Sequence, residues 1–219
     1  MFHDIEQNTD IWTQLRTGLI TSSALPKAMA NYGKSFGEPA KKYAVDIALE
    51  QITGIPAGNY YSNGHMDRGH EEEPLARMAY EDQFFCDVAN GGFFELDDVG
   101  CSPDGLVGDD GLIEIKSAIP SIHFARIKSQ SFDSAYKWQL AGNLKFTGRE
   151  YIDFVSYCSS FPAELQLYVY RCHKADFDKE FKMIDVRLNE FRALIKETKQ
   201  TILNNEYLLL ERKEHEQRS

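Results

Sequence analysis

Two carboxylates and a lysine stand at a spacing that can support hydrolytic chemistry. Asp104 lies between a proline and a glycine, which favours a bend at the edge of a strand. After the turn-forming residues Asp109-Asp-Gly111, the chain continues as Leu112-Ile-Glu114-Ile-Lys116. Residues two apart on a strand point to the same face, so Glu114 and Lys116 project together. If the two strands pair through the turn, the hairpin places both carboxylates and the ammonium on one face.

This combination suits phosphodiester hydrolysis assisted by a divalent cation. Mg²⁺ prefers carboxylate oxygens and fills its remaining positions with water and substrate phosphate. The backbone carbonyl of Ile115 is a further candidate ligand. A lysine at this position can hold and deprotonate the attacking water, or neutralise charge on the phosphorus oxygens. We therefore predict that Asp104, Glu114 and Ile115 bind one or two Mg²⁺ ions, for which Mn²⁺ would substitute, and that Lys116 activates water.

Two simpler interpretations compete with this one. Hairpins with Asp-Asp-Gly turns are common, and such a hairpin can carry no more than a solvated charged face. A calcium-binding loop is the second alternative, but Leu106 and Gly108 occupy positions that would require oxygen ligands. Spacing thus argues against a calcium loop, whereas the solvated hairpin stays open on these residues alone.

The surrounding sequence predicts the elements that would hold this hairpin. Helical spacing of apolar residues predicts helices over 10–16, 40–53, 63–83, 120–128, 133–146 and 177–210, and a short helix after the cap signature Thr21-Ser-Ser23. Pro74 must bend the 63–83 helix or mark its real start. Short apolar runs predict strands over 84–89, 92–96, 99–107, 112–116, 151–157 and 165–171. This order predicts an α/β fold with a mixed central sheet flanked by helices.

The chain shows no internal repeat and no Pro/Gly-rich linker, so a single domain over residues 1–219 is expected. Its parts would be a helical N-terminal part (about 1–83), a catalytic sheet (about 84–172) and a closing helix (about 176–210). The four cysteines are widely spaced, which argues against a zinc site, an iron–sulphur cluster and a disulfide framework. No signal peptide and no apolar run of membrane-spanning length is apparent, so a cytoplasmic protein without a membrane partner is expected.

The charge of the chain is unevenly distributed. A net charge of −10 disfavours a nucleic-acid partner, because phosphate binding requires a basic surface. However, residues 67–114 contain fourteen acidic and two basic side chains, whereas residues 115–149 contain six basic and one acidic. The acidic segment ends with the carboxylates of the predicted site. We therefore expect a basic track for DNA on the helices that follow, through Arg126, Lys128, Lys137, Lys145 and Arg149.

Four motifs together resemble one known family of nucleases. Pro103-Asp104 followed by Glu114-Ile-Lys116 is similar to the PD-(D/E)xK motif of restriction-endonuclease-like nucleases. The longer string from Cys101 to Lys116 resembles the YqaJ-type viral recombinase family, which is phage lambda exonuclease-like. Three further segments are similar to motifs of that family. Trp12 to Ser23 resembles its opening W-x-x-L-R-x-G-x-I-T-A-S, and Arg68 to Arg77 resembles its G-x-x-x-E-x-x-A-R helix. Ser134 to Gln139 resembles its helix with a Tyr and a functional Gln. Ser22 stands where the family has alanine.

The resemblance implies further metal-site residues outside the hairpin. Glu73 corresponds to the family's metal-site glutamate, and Glu72 is the alternative within the same acidic run. Gln139 corresponds to the family's functional glutamine, which would position water or substrate. The family's acidic residue upstream of Pro-Asp aligns ambiguously here and stays unassigned among Glu95, Asp97 and Asp98.

The resemblance also implies a pocket for a terminal phosphate. Arg16, Ser23 and Ser102 correspond to the family residues that receive the 5′-phosphate of the strand being degraded. An arginine, a hydroxyl and a helix N-terminus form a suitable pocket for such a group. Each of these residues alone also has an ordinary structural interpretation, as a helix cap or a carbonyl ligand.

The resemblance implies a restriction-endonuclease-like core for this chain. The implied activity is that of a Mg²⁺-dependent 5′→3′ exodeoxyribonuclease that digests one strand from duplex DNA ends. The product would be a duplex with 3′ single-stranded tails for recombination by strand annealing. The resemblance further implies a ring-shaped homotrimer, a partner single-strand annealing protein and action in a bacterial host cell. Two alternatives stay open: a structure-selective or restriction-type endonuclease on the same fold, and a non-catalytic DNA-end-binding module with vestigial metal residues.

Overall fold

The computed structural model of the protein describes residues 1–57 and 64–204, and for residues 64–67 and 70 only the helical backbone. The helices described are α1 (Asp10–Arg16), α2 (Leu25–Met29), α3 (Glu38–Thr53), α4 (Gly64–Phe84), α5 (Pro120–Ser129), α6 (Lys137–Thr147) and α7 (Asp178–Leu203). The strands described are β1 (Phe2–His3), β2 (Ile20–Thr21), β3 (Val88–Ala89), β4 (Phe93–Leu96), β5 (Val99–Cys101), β6 (Gly105–Val107), β7 (Gly111–Ser117), β8 (Tyr151–Tyr157) and β9 (Leu167–His173). None of the described helices is both long and apolar enough to cross a membrane.

The strands form two mixed sheets flanked by helices. The smaller sheet has the order β1-β4-β5-β2, and the larger has the order β3-β6-β7-β8-β9. Within the larger sheet, β7 pairs antiparallel with β6 and parallel with β8, while β8 pairs antiparallel with β9. The predicted α/β class with a mixed sheet is therefore confirmed.

The smaller sheet was not expected from the sequence. Its strands β1 and β2 lie within the part predicted to be helical, and they pair with β4 and β5. The run predicted as one strand over 99–107 divides into β5 and β6, which belong to different sheets. A strand of two residues has no periodicity to recognise, and its pairing partner is distant in the chain. Local patterns therefore could not reveal it.

The course of α4 also differs from the sequence prediction. The helix continues through Pro74, so this residue does not mark its start. It extends to Phe84, which was assigned to a strand, and Phe85 then adopts a φ of +51° that ends the helix. Only Val88–Ala89 remain extended. Residue 63 and the part of the predicted closing helix beyond residue 204 lie outside the described residues.

The two faces of β7 pack against different helices. Leu112 belongs to the larger apolar core together with Leu140 of α6. Ile113 belongs to the second core together with Tyr80 of α4. Because side chains alternate along a strand, Glu114 shares the face of Leu112 and is directed toward α6.

A buried ionic contact holds α4 on the sheet. Asp153 of β8 is 0% exposed. It accepts hydrogen bonds from the Tyr80 hydroxyl at 2.6 Å and from Arg171 Nε and Nη2, both at 2.8 Å. The bidentate arginine compensates the buried charge, and the tyrosine ties α4 to it. Since α4 carries Glu73, this contact fixes the helix that supplies a predicted metal-site residue.

The imidazole of His123 on α5 is buried and hydrogen-bonded at both nitrogens. Nδ1 lies 2.9 Å from Ser156 Oγ and Nε2 lies 3.0 Å from the Leu165 carbonyl oxygen. Because a carbonyl only accepts, Nε2 carries the proton of the neutral ring and Nδ1 accepts from the serine hydroxyl. Burial lowers the pKa of His123 below its ordinary value of 6.5, and the nearby charge of Arg126 lowers it further.

Acidification is therefore expected to destabilise the protein through His123. The folded state binds this proton less readily than the unfolded state. The stabilising contribution is thus fully present above pH 6.5 and is lost as pH falls toward the lower folded-state pKa. The measurement is the thermal unfolding midpoint of wild type and His123→Gln between about pH 8 and pH 5, because glutamine cannot take up the proton. The gap between the two midpoints should narrow as pH falls, and a constant or widening gap would contradict the prediction.

Candidate active site

The β6–β7 hairpin brings Asp104 next to the strand that carries Glu114 and Lys116. The backbone N–H of Asp104 donates to the Ile113 carbonyl at 3.1 Å. In return, the N–H of Ile115 donates to Asp104 Oδ2 at 2.6 Å. Both ends of the aspartate are therefore tied to β7, which holds its carboxylate at the strand edge.

The carboxylate of Glu114 is buried and accepts three hydrogen bonds. Oε1 accepts from Lys116 Nζ at 2.5 Å and from Gln139 Nε2 at 2.6 Å. Oε2 accepts from Asn143 Nδ2 at 2.8 Å, and Glu114 is 1% exposed. Gln139 and Asn143 are one turn apart on α6, so one face of this helix donates to the carboxylate.

A cleft of about 660 Å³ opens beside the hairpin. Glu73, Asp104, Ile115, Lys116 and Tyr136 are among the residues that line it. The Lys116 ammonium lies 5.2 Å from the centroid of the Tyr136 ring. The structure therefore brings Glu73, Asp104 and Lys116 to one open volume.

The two candidate glutamates of α4 have different surroundings. Glu72 is buried and accepts hydrogen bonds from the hydroxyl groups of Ser117 and Ser159, the latter at 2.5 Å. These contacts join α4 to the ends of β7 and β8. Glu73 instead borders the cleft, with Oε1 at 3.9 Å from Arg77 Nη2. Glu72 thus serves the packing of α4, whereas the Glu73 carboxylate is open to a ligand.

Burial raises the pKa of the three carboxyl groups of the predicted metal site, Glu73, Asp104 and Glu114. Burial and the charge of Asp104 raise the pKa of Glu73 and of Glu114 to about 7. Burial also raises the pKa of Asp104. Burial by itself would lower the pKa of Lys116, but the charges of Glu114 and Asp104 outweigh it and raise this pKa. Lys116 is therefore an ammonium at neutral pH, and the charge of Asp104 repels the carboxylates of both Glu73 and Glu114.

The oxygen groups of this site have the chemistry that a hard divalent cation requires. The carboxylates of Glu73, Asp104 and Glu114 and the carbonyl of Ile115 offer oxygen alone. A cation would stabilise the ionised form of these carboxylates, which burial disfavours. In the part of the chain that the structure describes, no three Asp, Glu, His or Cys side chains stand together closely enough to hold an ion. The oxygen donors thus have the chemistry that Mg²⁺ requires. Because they do not yet stand close together, Mg²⁺ binding would require the carboxylates to move toward one another.

A second pocket of about 500 Å³ lies beside α1 and the short turn Ser22–Ala24. Arg16 and Ser23 both line it. The Arg16 guanidinium stacks on the Trp12 ring at 3.8 Å from the centroid, and Trp12 Nε1 donates to Ser102 Oγ at 2.7 Å. Of the three residues predicted to bind a terminal phosphate, Arg16 and Ser23 thus line the pocket. Ser102 is not among its lining residues but contacts Trp12, which is.

The second pocket contains charges of both signs. Lys27 lines it together with Arg16, and so do Asp46 and Glu50. Oε2 of Glu50 is occupied, because it accepts from the backbone N–H of Gly18 at 2.7 Å. Burial lowers the pKa of Arg16, which stays a cation at neutral pH. Arg16 and Lys27 therefore offer cations to an anionic ligand, beside the carboxylates of Asp46 and Glu50.

The predicted basic track is largely engaged in contacts within the chain. These contacts are Lys137 with Glu180 at 3.6 Å, Lys145 with Asp185 at 2.9 Å, Arg149 with the Gly108 and Gly111 carbonyls at 2.8 and 2.7 Å, and Arg126 with Ser156 at 3.1 Å. Lys128 is exposed on α5. The helices after the catalytic strand therefore offer less unpaired positive charge than the residue count suggests.

The acidic residues upstream of the hairpin lie in the smaller sheet and its turn. Glu95 Oε2 is 3.0 Å from His3 Nε2. Asp98 accepts two hydrogen bonds from Arg192, both at 2.6 Å, which lower the pKa of this aspartate. Asp97 adopts a φ of +53° in the turn between β4 and β5. Two of the three are thus engaged in contacts that hold the fold.

Two further residues at the site were not singled out from the sequence. Asn143 is 0% exposed and holds Oε2 of Glu114, as described above. Arg77 donates to the backbone carbonyl of Asp104 and so ties α4 to the hairpin. Both lie four residues after a predicted site residue, Gln139 and Glu73 respectively. This helical spacing was the available signal.

The sheet, the hairpin site and the motifs together indicate a nuclease, and comparison with known proteins agrees with this class. The YqaJ-like viral recombinase domain matches residues 11–150. Two crystal structures of LHK-Exo, an alkaline exonuclease from Laribacter hongkongensis, are similar to the chain, with 30% sequence identity. The alignment covers 89% of this chain and 98% of LHK-Exo. Their TM-scores are 0.75 and, for the complex with dAMP, 0.76. A phage-related exonuclease from Haemophilus somnus 129PT shares the fold at 18% identity, with a TM-score of 0.64 and coverage of 87% of this chain and 97% of that one. No curated protein matches the chain.

The chain belongs to the YqaJ-like viral recombinase family, as its motifs predicted. Its fold is the restriction-endonuclease-like α/β fold of the alkaline exonucleases. Family membership and these relatives support an exonuclease of the phage type.

Proposed function

We propose that the protein is a Mg²⁺-dependent 5′→3′ exodeoxyribonuclease that digests one strand from duplex DNA ends and leaves 3′ tails for strand-annealing recombination. The observation that carries this proposal is the connection of two pockets through residues 102–104. Ser102 contacts the Arg16-lined pocket through Trp12, and Asp104 borders the cleft beside the hairpin. A terminal phosphate held in the first pocket would therefore set the strand end at a fixed distance from the hydrolytic groups.

The chain's own residues would divide the hydrolytic work. Asp104, Glu114, Glu73 and the Ile115 carbonyl would hold one or two Mg²⁺ ions, which would supply Lewis-acid activation of the scissile phosphate. Lys116 donates one N–H to Glu114 and has two further donors to hold and activate the attacking water. Gln139 fixes Oε1 of Glu114, which keeps that carboxylate in place while water and substrate exchange.

The polarity of digestion follows from the second pocket in this proposal. Arg16 presents a planar guanidinium, which suits a phosphate through paired hydrogen bonds, and Ser23 and Ser102 add hydroxyl donors. A terminal phosphate carries more charge and more free oxygens than an internal diester, so it binds such a pocket more tightly. Recognition of the 5′ terminus then selects the strand to be hydrolysed.

Assembly and partners form part of the same proposal. Family membership supports a ring-shaped homotrimer around DNA and a separate single-strand annealing protein that receives the 3′ tails. Sedimentation of the full chain measures the first, and co-purification with a candidate annealing protein measures the second.

The test of the proposed function is digestion of linear duplex DNA labelled on either strand end. Ends carrying 5′-phosphate or 5′-hydroxyl are compared, each with Mg²⁺ and with EDTA. We expect loss of nucleotides from the 5′ end in Mg²⁺ alone, faster at phosphorylated ends. Loss from the 3′ end, or equal activity in EDTA, would contradict the proposal. Covalently closed circular duplex is the control, and its cleavage would favour the endonuclease alternative.

Replacing Arg16 with alanine should remove the preference for phosphorylated ends. A hydrogen bond to a charged group contributes about 1.5–3 kcal/mol, so the KM for 5′-phosphorylated duplex should rise about ten- to hundredfold. The KM for 5′-hydroxyl duplex serves as the internal control and should change little. Steady-state digestion of the two substrates measures both values, and an equal rise for both would show that Arg16 supports the fold instead of the phosphate.

A further inference from the structure

A buried chain of hydrogen bonds links the turn of the second pocket to Glu114. Ser22 Oγ donates to Asn143 Oδ1 at 2.5 Å, and Asn143 Nδ2 donates to Glu114 Oε2 at 2.8 Å. The three residues are 2%, 0% and 1% exposed. A carboxylate only accepts, so the amide must direct its NH₂ group to Glu114 and its oxygen to the serine hydroxyl. The direction of every bond in the chain is therefore fixed.

Ser22 occupies a position between the two pockets. Its neighbours Thr21 and Ser23 line the second pocket, and their hydroxyl oxygens lie 3.3 Å apart. The turn also packs tightly on α6. A methyl group added at Gly142 would lie 2.9 Å from Ser22 Cβ and 2.6 Å from Leu25 Cδ1. No space separates the turn from the helix, so a shift of the turn must displace the helix face that holds Glu114.

We propose that Ser22 and Asn143 are positioning residues that orient Oε2 of Glu114 and couple occupancy of the phosphate pocket to metal binding at that carboxylate. This inference rests on the proposed function. Oε1 of Glu114 already accepts two hydrogen bonds, from Lys116 and Gln139, whereas Oε2 accepts one among the described residues. Oε2 therefore has more unused acceptor capacity than Oε1, and Asn143 sets its direction.

Ser22 acts in this proposal through Asn143 alone. The family's motif has alanine at the position of Ser22, so Ser22→Ala is a replacement that the fold should accept. In Ser22→Ala, the oxygen of Asn143 loses its donor and the amide is free to rotate away from Glu114. In Asn143→Ala, the carboxylate loses its donor directly. The double variant should then behave like Asn143→Ala, because residues of one hydrogen-bonded chain are not independent.

The first test measures Mg²⁺ binding without DNA, from the rise of the thermal unfolding midpoint with Mg²⁺ concentration. Asn143→Ala should raise the apparent dissociation constant about ten- to hundredfold, as loss of a partner behind a metal ligand does, and Ser22→Ala should raise it about tenfold. Thr198→Val is the control, since it removes a partly buried hydroxyl hydrogen bond, to the Leu194 carbonyl at 2.8 Å, on a part of α7 that lines neither pocket. It should leave the dissociation constant unchanged.

The second test measures the Mg²⁺ concentration that gives half-maximal digestion. Wild type should need less Mg²⁺ with 5′-phosphorylated than with 5′-hydroxyl duplex, and both variants should lose this difference. If Ser22→Ala behaves like Thr198→Val in both tests, the inference is overturned while the proposed function stands. If wild type shows no response to Mg²⁺ in unfolding or digestion, the proposed function fails and the inference fails with it.

Discussion

Replacing Lys116 with alanine is expected to lower the rate of duplex hydrolysis by about 10²- to 10³-fold, the range expected for removing one preorganised hydrogen-bond donor from an active site. Lys116 borders the cleft and contacts Glu114, so its ammonium is the group placed to act on the attacking water. Binding of duplex DNA should persist, because phosphate contacts are spread over a surface and one lysine contributes a small part of them. Single-turnover digestion measures the first effect, and filter binding without Mg²⁺ measures the second.

The matched control for this prediction is Lys196→Ala. Lys196 is exposed on α7 and takes no part in the site, so the rate should stay at the wild-type value. The unfolding midpoints of both variants need to be compared, since Lys116 also compensates the buried charge of Glu114. Wild-type turnover in a folded Lys116→Ala protein would refute the role of this lysine.

Replacing Arg187 with alanine is expected to destabilise the protein by about 3–5 kcal/mol, because it removes a buried charged donor that satisfies three backbone carbonyls. Arg187 of α7 is 2% exposed. It donates to three backbone carbonyls and to Glu190: Ala28 at 2.8 Å, Ala30 at 3.1 Å, Lys34 at 3.1 Å and Glu190 at 2.7 Å. The variant would leave those carbonyls without their charged donor at the end of α2. Urea unfolding measures the loss of unfolding free energy, provided that its dependence on urea concentration (the m-value) is the same in both proteins.

Arg192→Ala is the control for Arg187 on the same helix. Arg192 pairs with Asp98 at 2.6 Å, but both side chains are about 40% exposed, at 40% and 39%. Exposed ion pairs contribute about 0–1 kcal/mol, so this variant should stay close to wild type. If both variants lost a similar free energy of unfolding, burial would not be what determines how much an arginine of α7 stabilises the protein.

The hairpin and its helices could be predicted from the sequence because their signals are local. Alternation along β7 placed Glu114 and Lys116 on one face, and the two side chains do contact each other. The Asp-Gly turn predicted the pairing that brings Asp104 to Ile115. The motifs spread along the first 146 residues were sufficient to predict the family.

The smaller sheet shows where local signals end. Phe2 pairs with Phe94, and Ile20 pairs with Val99. Neither short strand has a pattern of its own, since the hydrogen bonds of each come from a partner far along the chain. The same limit applied to α4, because the continuation of the helix past Pro74 depends on its packing against the sheet and not on helix propensity.

The sequence by itself determined the chemical identity of the site: two carboxylates and a lysine on a hairpin, with an arginine and serines near the N-terminus. The tertiary structure alone decided how these groups are held. It placed Glu73 at the cleft and Glu72 in the packing of α4, and it put Ser22 in hydrogen-bond contact with Asn143. The physical reason is that the orientation of a buried polar group depends on the donors and acceptors that folding brings to it, and these come from distant parts of the chain.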